Sequence, residues 1–264
     1  MKIHNHIISI KMKKILFSFT ILSLFYYCSK PGNNKSDPSL TNTQSIRLRA
    51  PSINKKWTIK DYNSFNKYLD SLPQKAYPKV SSLKSQKLFN KVVSSIHQST
   101  ITDKKYSLVE RIVFWNELNM NGESIMSKYI VAMQNGEDYS TEVSYLMGLR
   151  IVNSTQLIDL AKELIPTFDI NSDKYSNQIK SVEQMRDGIF MQYEIGFTCL
   201  QETNTYSDSD RIIITQHLVE NAKSIFSFLT NEAKEKLKLD KTIKAESNKE
   251  IQILLVKVKG EFKI

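Results

Sequence analysis

A chain of 264 residues that is 41% hydrophobic and 24% charged has the apolar content of a globular domain, not the apolar-poor balance of a disordered one. Two cysteines cannot form a disulfide framework, and seven glycines are too few and too scattered for a phosphate loop, a nucleophile elbow or a dinucleotide fingerprint. The formal charge of +10 suggests nucleic acid, but Lys2, Lys11, Lys13 and Lys14 precede the first cysteine with no acid among them, and taking these four from 37 leaves 33 basic residues against 27 acidic ones.

The first element is a basic-then-apolar start. Lys11-Met12-Lys13-Lys14 leads into a run of thirteen residues, Ile15 to Tyr27, and then Cys28. A membrane-spanning helix needs about twenty apolar residues, so this run is too short to span well. A positive region, a short apolar region and a junction with polar sequence form the pattern of an export signal. Residues 12–29, with Cys28 at the junction, resemble the signal of bacterial lipoproteins, in which the cysteine is acylated and becomes the new N-terminus. Where the family has a small residue and usually Leu, this chain has Tyr27 and Phe25; an uncleaved signal anchor and an ordinary secretory peptide are the alternatives. The resemblance implies lipidation at Cys28 and attachment to a membrane through that lipid. It also implies a place in the cell envelope, facing the periplasm or the surface. Ser29 stands where the family's Asp would favour the inner membrane, and so points to the outer membrane.

Residues 29–56 are rich in Ser, Asn, Pro, Lys and Thr without an apolar period, which reads as a flexible tether. Its Lys30, Lys35, Arg47 and Arg49 outweigh Asp37, and the body beyond it is close to balanced. That body, 57–264, is 208 residues long, enough for one sizeable core. Nucleic acid is not expected as a partner, because a binder concentrates basic charge on one folded face.

The body reads as helix throughout. Thr58 to Asp61 is a capping-box variant, with Trp57 and Tyr62 at the staple positions and Tyr62, Phe65, Leu69 and Leu72 on one face up to Pro73. Leu88, Phe89, Val92, Val93 and Ile96 make a second stripe. Ser107 and Glu110 form a full capping box before a nearly all-apolar segment holding Val109, Ile112, Val113 and Trp115. Its narrow polar face predicts a central helix, ending at Asn119–Gly122. Ile125, Met126, Tyr129, Ile130 and Met133 form the next helix, and Asn135-Gly136 the turn after it. Two runs follow, Val143–Ile151 and Leu157–Ile165, closed by Pro166.

The longest helix is predicted from Lys174 to Glu202, with Gly196 on its inward stripe as a point of close approach; a kink or break at Asp187-Gly188 is the alternative. Ser207 and Asp210 cap another, with Ile214, Leu218, Ala222, Ile225 and Leu229 inward. The last segment, 249–259, is β-branched enough for a strand. A Ser247–Glu250 box, helical spacing and Gly260 at the C′ position favour helix. The fold class is therefore all-α: an irregular, single-domain bundle of about eight to ten helices.

Chemistry is sparse. Beyond the signal only His97 and His217 remain, without the spacing of a metal site. His217 reads as a core-border residue, and His97 follows Ile96 at a helix end. Cys199, between Phe197 and Leu200, reads as a small buried hydrophobe. Glu110 and Glu117 are seven apart and share a helix face. With Glu123 they are weak candidates for carboxylate chemistry, either glycoside hydrolysis or cation binding. No cofactor or metal site is expected. The leading expectation is a lipid-anchored, non-enzymatic binding protein with a protein partner, in one version an immunity or inhibitor protein. The alternatives are a carboxylate-dependent hydrolase and a structural subunit of an envelope complex.

Overall fold

The structure is a computed structural model that describes residues 48–94 and 98–261, apart from the side chains of residues 98 and 99. Cys28 with the stretch expected to be an export signal, most of the stretch expected to be a tether, and His97 lie outside the described residues. Ten α-helices follow one another among the described residues: α1 Ile59–Asp70, α2 Gln86–Val93, α3 Gln98–Thr102, α4 Leu108–Gln134, α5 Ser140–Leu164, α6 Tyr175–Gln201, α7 Asp208–Phe226, α8 Asn231–Lys236, α9 Leu239–Ala245 and α10 Lys249–Gly260. No strand occurs among these residues.

The local signals act where the sequence places them. The Asp61 carboxylate accepts the Thr58 backbone N–H at 2.8 Å, and Trp57 meets Tyr62 edge-on with ring centroids 5.4 Å apart. Ser107 and Ser207 each accept the N3 amide of their helix, from Glu110 and Asp210 respectively. Pro166 lies in the 3-10 turn Ile165–Thr167 that ends α5. The C-terminal segment is helix. Asn248, not Ser247, caps it by accepting from Glu250 and Ile251 N–H, and Gly260 is its last helical residue.

Two expected breaks are absent. α4 continues through Asn119, Asn121 and Gly122 to Gln134. Asn121 donates to the Glu117 carbonyl at 2.8 Å and Asn119 to Glu123 at 3.0 Å, so these amides bond along the helix and do not terminate it. Packing outweighs the roughly 1 kcal/mol that an interior glycine costs. The two runs before Pro166 are one helix, α5, and α6 passes through Gly188 unbroken.

The central helix is also a different one. α5 packs against α2, α4, α6 and α7 and buries residues around most of its circumference. α4 instead leaves Val109 70% exposed, with Val113, Met120 and Val131 also exposed. Its polar residues Arg111, Asn119 and Glu123 are buried. The inward face of α4 is still mainly apolar, with Trp115, Leu118, Ile125 and Tyr129 buried, but partnered polar groups share it while four apolar residues stay outside.

α1 and α2 form a layer on one end of the α4–α5 hairpin. Tyr62 donates to the Val92 carbonyl at 2.9 Å. The segment between them is fixed by Tyr129 to Pro78 at 2.8 Å, Tyr139 to Gln74 at 2.7 Å, and the Val80 N–H to Glu142 at 2.6 Å. Beneath it, Tyr77, Phe89 and Tyr139 each meet Tyr129 edge-on. Such pairs add about 0.5–1.5 kcal/mol each beyond area burial.

Candidate functional site

All four arginines beyond residue 57 turn toward the interior, whereas no described lysine is buried. The division follows from chemistry. A guanidinium is weakly hydrated and offers a planar fork of donors, and an ammonium is a strongly hydrated point charge. Arg150 on α5, 5% exposed, donates to Glu123 on α4 at 2.8 Å. Arg211 on α7 donates through Nε to the Leu200 carbonyl at 2.9 Å and through Nη1 to Asp208 at 2.8 Å, and pairs closely with Glu246. Arg186 lies 5.1 Å from the Phe228 ring centroid.

Arg111 on α4 carries the fourth of these groupings and opens onto space. Its guanidinium, 3% exposed, donates to the Ile101 carbonyl at 3.3 Å and grips both oxygens of Glu163 on α5. Lys104 adds a second cation to Glu163 at 3.0 Å. These residues line a cavity of about 350 Å³, floored by Ile101 and Leu160 and rimmed by Asp159 and Lys162. Gln156 also lines it. This side chain is buried, and its Oε1 accepts no hydrogen bond from the protein. A small apolar floor with one open amide and charges at the rim can bind a compact polar group.

The candidates named from sequence lie elsewhere. Glu110 is exposed and caps α4, and the Ser107 hydroxyl and amide hold its carboxyl below the usual range. Glu117 is exposed on the same side. Glu123 lies about 220–240° around the helix from both, at about 100° per residue. It is buried in the ion pair with Arg150. Burial raises its carboxyl above the usual value, while Arg150 and Asn119 pull the other way. The three do not share a face and none lines the cavity.

Cys199 packs against the core, and burial raises its thiol to about 11 despite a hydrogen bond from Tyr206. It is a protonated thiol and a poor nucleophile at neutral pH. His217 is half-buried, its Nδ1 3.6 Å from Glu220, and burial lowers its pKa. Among the described residues no group of three His, Cys, Asp or Glu is placed to hold a metal ion, and no helix is long and apolar enough to cross a membrane.

The residues that sequence reasoning passed over were within its reach. Arg111 lies on the same stripe as Trp115, Leu118, Ile125 and Tyr129. Arg150 lies with Val143, Met147, Ser154 and Leu157, and Arg211 with Ile214, Leu218, Ala222 and Ile225. An arginine in phase with a helix's apolar positions is a signal of a buried, paired guanidinium.

No protein-family model matches this chain, and neither a curated protein nor a solved structure shows significant similarity to it.

Proposed function

We propose that the chain is a lipid-anchored protein of the bacterial cell envelope, held through Cys28 and the 29–56 tether at the outer membrane, whose helical domain binds a protein partner. An immunity or inhibitor protein that caps its partner is the most concrete form of this reading. The observation that supports it is the outer ridge of α4. Val109, Val113, Met120 and Val131 are exposed and lie within about 40° of one another around the helix, along about 33 Å of its axis. An apolar ridge of this kind suits a partner's groove or helix, where alternate turns supply anchors. The hydrolase alternative has no comparable geometry behind it, since Glu110 and Glu117 face solvent and Glu123 faces the interior.

Two measurements test the reading. The mass of the membrane-extracted protein should show acyl chains on Cys28; a chain still carrying Met12 to Tyr27 would make it a signal anchor. A photo-crosslinking residue at Met120 in living cells should give an adduct of one defined mass, lost when Val113→Lys is added. No adduct from either Met120 or Val113 would end the proposal of a partner on this ridge.

A further inference from the structure

The near-balance of charge in the body conceals a division. Residues 48–94 contain ten basic side chains against only Asp61 and Asp70, whereas residues 98–261 contain 19 basic against 24 acidic. The basic part is the α1–α2 layer, which continues directly into the tether. Its two acids are already engaged, Asp61 with Lys55 and Asp70 with Lys128.

Within this layer, Lys87 and Lys91 stand one turn apart on the outer face of α2, opposite the buried Phe89 and Val92. Lys91 donates to the Lys55 carbonyl at 3.1 Å, which brings the face against the segment leaving the tether. At the other end of α2 a turn presents Leu83, 90% exposed and the most exposed large apolar side chain described. Lys84 follows it directly and is exposed. The turn is built, not slack. Ser85 Oγ accepts the Lys79 N–H at 2.9 Å, the Ser85 and Gln86 amides donate to the Ser82 carbonyl, and the neighbouring Val80 N–H is held by Glu142. A fixed leucine projecting among lysines costs solvation in water and has no partner in the protein. It fits a surface that offers anionic groups with an apolar layer just beneath.

We infer that the α1–α2 layer is a docking face for an anionic phospholipid bilayer, with Lys84, Lys87 and Lys91 on the headgroups and Leu83 at the acyl boundary. This inference rests on the proposed attachment to a membrane and adds an orientation to it. The domain would lie with its basic layer down.

The test uses the full chain, reconstituted into vesicles of phosphatidylcholine alone or of phosphatidylcholine with phosphatidylglycerol, carrying brominated acyl chains. Trp57 and Trp115 are buried, so the emission added by Leu83→Trp reports the turn. That emission should be quenched on the anionic vesicles and much less on the neutral ones. Lys84→Gln and Lys87→Gln should each lower the docked-to-free ratio about fivefold, with unchanged helical circular dichroism. Equal quenching on both vesicles would overturn the inference. So would an unquenched L83W on anionic vesicles, or binding to a soluble polyanion with L83W still in water. Flotation with the vesicles at high salt reads the anchor separately. Flotation without quenching keeps the anchor and removes the docking face. Quenching on anionic vesicles by a chain lacking acyl groups does the reverse.

Discussion

The His217 imidazole lies directly against Gly148. A methyl group added to that glycine would stand 2.1 Å from His217 Cδ2 and 2.7 Å from its Cγ. Contact with Cγ means that the whole ring, and not only its tip, would have to move, and with it the spacing of α5 and α7. Gly196 of α6 faces Leu218, the next residue of α7, whose Cδ2 a methyl group added there would meet at 3.1 Å. Small residues on α5 and α6 thus let α7 seat closely.

Gly148→Ala should therefore destabilise the domain by about 1–3 kcal/mol, the usual cost of overpacking. Adding His217→Ala should return most of that loss, and urea denaturation of the two singles and the double reads the coupling. The imidazole also carries a pH signature. Its folded pKa is depressed below the ordinary 6.5 by burial, with Glu220 opposing. The unfolded chain then binds the proton more readily, so this stability is fully present above pH 6.5 and declines as pH falls below it. His217→Gln should flatten that slope in thermal melts.

The Glu123–Arg150 pair joins the two long helices where both side chains are buried. Glu123→Ala leaves a buried guanidinium without its carboxylate and should cost about 3–5 kcal/mol. The double replacement Glu123→Leu with Arg150→Met should be markedly less harmful, since it removes both desolvated charges. A double replacement as damaging as the single would mean that the pair's hydrogen bonds, rather than charge neutralisation, hold α4 to α5.

Acid should loosen the first helix only below about pH 3.8, where Asp61 begins to take up a proton. Burial pushes the Asp61 carboxyl up, but Lys55 and the Thr58 amide and hydroxyl overcome it and hold it below the ordinary 3.8. A depressed carboxylate contributes stability that is present above its unfolded pKa and lost as pH falls through the folded value. Wild type should accordingly lose stability below pH 3.8 more steeply than Asp61→Asn, which is weaker at neutral pH and flatter in acid. Trp57 fluorescence follows the transition locally, because the ring packs on Tyr62.

Gln156 separates a structural cavity from a binding one. Its buried Oε1 lacks a protein donor, and an unsatisfied buried acceptor costs about 1–3 kcal/mol. Gln156→Leu should raise the melting temperature of the purified protein. A small ligand that stabilises wild type but not the variant would identify the cavity as a site, because the stabilising substitution would have removed its recognition. A variant that melts lower would show that the amide is already satisfied by ordered water.

Sequence periodicity located the longer helices because each has a local cause, whereas the short α3, α8 and α9, of five, six and seven residues, went unpredicted because so few residues carry no apolar period. The boxes at Thr58, Ser107 and Ser207, the turn at Asn135-Gly136, where Gly136 adopts φ 94°, and Pro166 act within a few residues of themselves. Asn119–Gly122 misled for the same local reason. Asn and Gly are turn formers in isolation, and only long-range packing holds α4 through them. The candidate carboxylates were drawn from spacing along one helix. Spacing identifies a shared face but not whether that face meets solvent or protein.

By itself, then, the sequence determined the helical class, the helix boundaries set by caps, and the basic, apolar and cysteine pattern of its start, since these depend on neighbours three or four residues apart. The tertiary structure alone decided which face of α4 is inside, that α5 and not α4 is central, and that Arg111, Arg150 and Arg211 are paired interior groups. Each of these depends on a partner many residues away, and whether a charge is buried or exposed is settled only when that partner is in place.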